Sequence, residues 1–264
     1  MLRGPITLTT DFGTSDHFVG TMKGVILGIS PRVRIVDITH EIAPQEVNEA
    51  AFVIAQAWRY FPKGTIHVVV VDPGVGSARR AILCEAEGQF FIAPDNGVLS
   101  MIYDSARHKV RVISNGKVFL KKVSKTFHGR DVFAPAAAHL SKGLAPAKFG
   151  KPIHDSVRSF LLKPTRLSHH EWSGSVLKTD HFGNLITNFH IDDFPELAEH
   201  PIELRAGLER ITRLAATYAE TMTGELFAIV GSSGYIEVTV NQGSAAKLLG
   251  IGTGSPVELE IFYE

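Results

Sequence analysis

Four consecutive valines, Val68–Val71, stand out against the mixed polar and apolar texture around them. Together with Thr65–His67 they predict a strand buried on both faces, as a central strand of a parallel sheet is. Ile6–Thr10 and Arg34–Ile38 predict two further strands. Apolar residues at helical spacing predict a helix over Phe18–Ile29, and an alanine-rich one spans Val47–Tyr60 and stops before Pro62. Ala81–Ala86 and Gln89–Ala93 read as a hairpin, and Asn96–Tyr103 and Val132–Leu140 as short helices. This alternation predicts an α/β domain with a central, mostly parallel sheet.

The pattern changes after about residue 143. Gly143–Arg166 carries Pro146, Pro152 and Pro164 with little periodicity. Short strands then dominate: Gly174–Thr179, Asn184–Phe189, Ile202–Arg205, Leu226–Val230, Tyr235–Val240 and Pro256–Phe262, with one short helix over Gly243–Leu249. That predicts a smaller, mostly-β, barrel-like C-terminal domain. The expected division is an N-terminal α/β domain over 1–160, a linker over 161–171 and a C-terminal β domain over 172–264.

Composition narrows the function classes. Basic and acidic side chains balance at 27 each among 264 residues, which argues against a nucleic-acid binder. No apolar run reaches membrane-spanning length, and the N-terminus shows no secretory core. A cytoplasmic protein is expected. The single cysteine, Cys84, has no partner for an internal disulfide and reads as a buried, inert thiol on a strand. No His-x-x-x-His or Cys-x-x-Cys spacing occurs, so no metal site is expected.

Polar residues cluster at four turns. The central strand ends in Asp72-Pro73-Gly74-Val75-Gly76, with Arg79 and Arg80 just beyond. Open α/β sheets bind ligands at the carboxyl ends of such strands. The bland alternative is an exposed turn with a solvated ion pair. The loop lacks the spacing of a phosphate cradle. Thr9–Asp16 follows a strand and precedes a helix. Asp11 could accept from a ribose diol or be structural, and Asp16 could bind ligand or cap the helix. His128, in Thr126-Phe127-His128-Gly129-Arg130-Asp131, precedes a helix, and alone it reads as a surface histidine. Asp131 could cap that helix and pair with Arg130. In the second domain, Asp180, Asn184 and Ser232 offer hydrogen-bonding groups, and Phe182 and Tyr235 offer aromatic faces for a planar ring. Ordinary turn chemistry explains each of these singly.

Taken together, the segments resemble the S-adenosyl-L-methionine (SAM) hydroxide adenosyltransferases, hydrolase relatives of enzymes that fluorinate or chlorinate the same substrate. The resemblance runs through Thr10-Asp11-Phe12-Gly13, the Asp72–Gly76 loop, Pro94-Asp95-Asn96-Gly97, Thr126–Asp131, Asp180-His181-Phe182-Gly183-Asn184 and Asn241-Gln242-Gly243. It implies attack of water on the ribose C5′ of SAM, releasing adenosine and L-methionine, with no cofactor. The family's catalytic Asp, Arg and His map onto Asp72, Arg79 and His128, the arginine remaining open between Arg79 and Arg80. Asp11 maps to the ribose hydroxyls. Asp16, Asp180 and Ser232 map to the methionine portion, and Phe182 and Asn184 to the adenine. The halogenases place a serine at Gly129, a tyrosine at His128 and an inserted loop that this chain lacks. The resemblance also implies a homotrimer, with ligand between the first domain of one subunit and the second domain of the next. The competing readings are a SAM-dependent halogenase, a metal-dependent hydrolase and a protein that binds SAM or adenosine without turnover.

Overall fold

The computed structural model describes residues 4–197 and 199–263. The start of the N-terminal reading above, residues 1–3, therefore lies outside the described residues. The chain divides into two compact units, residues 1–159 and 160–264.

The first unit is built on a seven-stranded sheet. Its strands are β1 (Ile6–Thr10), β2 (Ile35–Thr39), β3 (Ile66–Val70), β4 (Ala81–Ala86), β5 (Gln89–Pro94), β6 (His108–Val112) and β7 (Pro152–Ile153), in the order β2-β1-β3-β5-β4-β6-β7. The first four in that order pair in parallel, and the remainder pair antiparallel. The valine run explains the layers. Side chains alternate across a strand, so Val68 and Val70 enter one core with Met22 and Ile26 of α1 (Phe18–Ile29). Val69 and Val71 enter the other, with Ala50 and Ile54 of α2 (Val47–Ala57) and Ile102 of α3 (Ser100–Ser105). Each valine so buried is worth roughly 1.5–3 kcal/mol relative to exposure.

Several elements differ from expectation. The helix expected over 47–60 tightens into a 3₁₀ turn at Trp58–Tyr60. The short helix begins at Ser100 because the Asn96 side chain accepts from Val98 N and donates to Val71 O, which holds residues 96–98 in a turn. The helix expected over 132–140 opens with a π-turn, Gly129–Phe133, before α4 (Ala134–Ser141). Strands β6 and β7 were not anticipated. Asp16 does not cap α1: the cap position is His17, and no side chain fills it. Cys84 is fully buried in β4, and burial pushes its thiol up to about 12.

The second unit holds a nine-stranded sheet. It comprises β8 (Thr165–Arg166), β9 (Glu171–Thr179), β10 (Leu185–His190), β11 (Ile202–Ala206), β12 (Glu209–Ile211), β13 (Leu214–Ala215), β14 (Leu226–Val230), β15 (Tyr235–Val240) and β16 (Pro256–Ile261). The path runs β12-β11-β16-β9-β10-β15-β14-β13, with β8 on β9. The two end strands are separated by only residues 212 and 213, so the sheet must curl until its edges approach, as a half-barrel. Inward residues such as Leu185, Phe189, Leu204, Ile236 and Leu259 fill it. The helix α5 (Ala245–Leu249) is capped by Ser244, whose hydroxyl accepts from Lys247 N. Residues 161–171, expected as a linker, contain β8 and the start of β9 and so contribute to this sheet.

Candidate active site

Topology places the first half of the site. From β1 the chain steps outward to β2 on one side, then returns to β3 on the other, so the strand order reverses between β1 and β3. Ligands of open α/β sheets bind at such a switch point, beyond the carboxyl ends of the strands. Thr10 and Val70 pair at those ends. Asp11 and Asp72 therefore emerge side by side. They wall a cavity of about 360 Å³ with Phe12, Gln45, Phe127 and His128.

Three groups distant in sequence converge here. Arg79 grips Asp72 with both edges of its fork: Nε donates to Oδ1 at 3.1 Å, and Nη2 donates to Oδ2. The same Nη2 lies 3.1 Å from His128 Nδ1. A guanidinium can only donate, so Nδ1 must accept and the imidazole is neutral at that nitrogen. Both members of the ion pair are withdrawn from water, at 8% and 6% side-chain exposure, and the guanidinium packs over the Phe133 ring at 5.3 Å. Burial pushes the Asp72 carboxyl above its ordinary value, against the pull of Arg79 and His128. Burial, and then the Arg79 charge, hold His128 below its ordinary value.

Arg80 turns the other way. Its Nε donates to Asp95 at 2.8 Å and its Nη1 to Asp155 at 2.9 and 3.1 Å. Asp95 also accepts from Val157 N, so the Pro94–Gly97 motif clamps the loop from behind. Of the two adjacent arginines, Arg79 is the one that faces Asp72 and His128.

Two contacts bring the loops together. Gly76 has φ +79°, and a Cβ there would sit 2.2 Å from the carbonyl oxygen of Lys125, so only glycine lets the Asp72 loop press against the segment carrying His128. Phe12, Phe18 and Phe127 then form a cluster with centroids 5.2–5.8 Å apart, joining the Asp11 turn to the His128 turn. Asp131 is fully buried, accepts from Arg130 and from Ser124 N, and fixes the same segment from inside.

Asp11 accepts from Gln45 N at 2.9 Å. Gln45, with φ +69°, carries no motif and was missed in the sequence. Asp16 is exposed and does not line the cavity.

In the second unit, Asp180 organises the β9–β10 turn: Oδ1 accepts from Phe182 N and Asn184 N, and Oδ2 from Asn184 Nδ2. Asn184 in turn accepts from Thr239 Oγ1. The turn leaves the Phe182 ring 74% exposed. Phe182 and Asn184 line an open groove of about 640 Å³ with Tyr218, Gln242 and Lys247. Ser232 and Tyr235 lie at the β14–β15 turn instead and do not line that groove. Tyr235 is largely buried against His190, with centroids 4.7 Å apart, and burial pushes its hydroxyl up to about 12.

Residues 6–150 match the model of the SAM hydroxide adenosyltransferase N-terminal domain, and residues 174–258 that of the C-terminal domain. The chain belongs to the SAM hydroxide adenosyltransferase family. One relative is the (R)-S-adenosyl-L-methionine hydrolase of Salinispora tropica, 38% identical over 94% of this chain and 95% of the relative. A fluorinase of an Actinoplanes species is more distant, 30% identical over 96% of each chain. The crystal structure of an uncharacterized conserved protein from Thermotoga maritima superposes with a TM-score of 0.86, at 37% identity, over 96% of this chain and 99% of that one. The segments that carry the sequence resemblance lie at strand ends and turns of both units. Among the described residues, no helix is long and apolar enough to cross a membrane.

Proposed function

We propose that the protein hydrolyses SAM to adenosine and L-methionine. The observation that carries this reading is that Asp72 and His128 line one cavity with Asp11 and are joined by Arg79, which bonds to both. Family membership and the hydrolase relative support the substrate.

In the proposed reaction a water oxygen bonds to the ribose C5′ as the C5′–S bond breaks. The bond pair leaves on sulfur, which turns the sulfonium into neutral methionine thioether, and the water gives up a proton. A sulfonium needs no acid to leave, so the protein's task is to align and deprotonate water. The His128 Nδ1 lone pair is engaged by Arg79. The Asp72 carboxylate, with about four lone-pair sites, keeps accepting capacity beyond the Arg79 fork and the Gly74 backbone N–H. Asp72 is then the acceptor open to water, His128 holds the Arg79 fork, and Arg79 offsets developing hydroxide charge. Asp11 holds the ribose diol. Phe182 and Asn184 take the adenine, and Asp16, Asp180 and Ser232 with Tyr235 serve the remainder of the ligand. Methionine and adenosine leave without a cofactor.

Halide attack is the weaker reading. Gly129 is buried, and a Cβ there would come within 3.1–3.3 Å of Met22, Phe127 and Phe12, leaving little room for the serine of the halogenases. Turnover of SAM in oxygen-18 water tests the proposal. Label is expected in the adenosine 5′-hydroxyl, and unlabelled product or no adenosine refutes it.

A further inference from the structure

A second cavity, of about 370 Å³, lies elsewhere in the first unit, bounded by β6 and by the chain from β7 to Arg158. Its volume is within the range of small-molecule sites. Lys109, Arg111, His154 and Arg158 line it, with His108 at the start of β6. Val110, Pro152 and Ile153 give it an apolar floor. No carboxylate is among the residues that line it.

The nearby acids are already paired. Asp155 is held by Arg80, and Asp104 by Arg158. Glu85, opposite Lys109 in the β4–β6 ladder, forms an ion pair with Arg111 Nε at 3.6 Å. That nitrogen is sealed from the cavity, so Arg111 meets a ligand through the outer end of its guanidinium. His108 Nδ1 donates to the Ala106 carbonyl, which leaves its other ring nitrogen for a ligand or solvent. A pocket lined by Lys109, Arg111, His154 and Arg158, with apolar residues and no carboxylate among its lining, is suited to an oxyanion.

We propose that this cavity is a second ligand site, which binds the phosphate group of a small phosphorylated molecule through Lys109, Arg111 and His154. It is separate from the site of SAM turnover. Calorimetric titration of the full chain with inorganic phosphate, ribose 5-phosphate and ribose tests it. Both phosphates are expected to bind and ribose is not, with the tighter phosphate telling whether the free anion or the ester is the ligand. Lys109→Glu, at an exposed position that should not disturb folding, is expected to weaken binding at least about tenfold. His154→Ala should act in the same direction, and SAM turnover without phosphate should be unchanged in both. Heat from neither phosphate, undiminished affinity in Lys109→Glu, or displacement of bound phosphate by adenosine overturns the proposal.

Discussion

Arg79 and Arg80 are chemically identical neighbours with opposite surroundings, and that contrast is testable. Arg79→Ala removes the guanidinium that bonds both Asp72 and His128, and adenosine release is expected to fall at least about a hundredfold. Arg80→Ala strips Asp95 of its guanidinium while sparing the cavity. It should cost roughly 1.5–3 kcal/mol in urea melts with turnover largely kept. His128→Ala frees one end of the Arg79 fork and is expected to lower turnover by about a hundredfold through misplacement. The pH profile follows from the same bond. Protonated Nδ1 cannot accept from Arg79, so activity should fall as pH drops through the His128 pKa. Because that pKa is held down, the midpoint of this acid limb should lie below 6.5, and in His128→Ala only the limb set by protonation of Asp72 should remain. Asp72 and Asp11 were legible in the sequence because an acid at the end of an apolar strand is conspicuous. Choosing Arg79 over Arg80 was not, since one residue of register decides which way a side chain points. Gln45 was invisible because it serves through its backbone N–H, which any residue type supplies.

Elements that generate their own burial pattern were readable, and elements that depend on a partner were not. Strand β3 announces itself with β-branched residues. Strand β6, His-Lys-Val-Arg-Val, is charged at alternate positions and forms because β4 and β7 flank it. β7, β8 and β13 are two residues long, too short for any period. The π-turn at Gly129–Phe133 likewise depends on tertiary packing, and such turns gather at functional sites. Gly76 is the test at this scale. Gly76→Ala must strain a positive φ and push away the Lys125 carbonyl, at a cost of about 1–3 kcal/mol or more. Because that contact joins the Asp72 and His128 loops, turnover should drop more than stability does. An assay alongside thermal melts separates the two, and unchanged turnover would show that the loops dock independently of it.

At the scale of the molecule, the order of strand and helix signals was enough to give an α/β unit followed by a barrel-like one. The stretch expected as a linker has no periodicity of its own, and only Thr165 and Arg166 within it join the second sheet by pairing with β9. Each unit carries a candidate half-site at loops: the Asp72 cavity in the first and the Phe182 groove in the second. The proposed homotrimer, with the first unit of one subunit and the second unit of the next completing each site, predicts three times 28.8 kDa by light scattering. A strictly monomeric, fully active protein would refute it. The curled sheet has a consequence of its own. Exposed strand borders invite foreign chains to zip on, and here the first and last strands are tethered by a two-residue latch. A nick at residues 212–213 would unfasten that latch, and the fragmented unit should then begin to aggregate where the intact one stays dispersed.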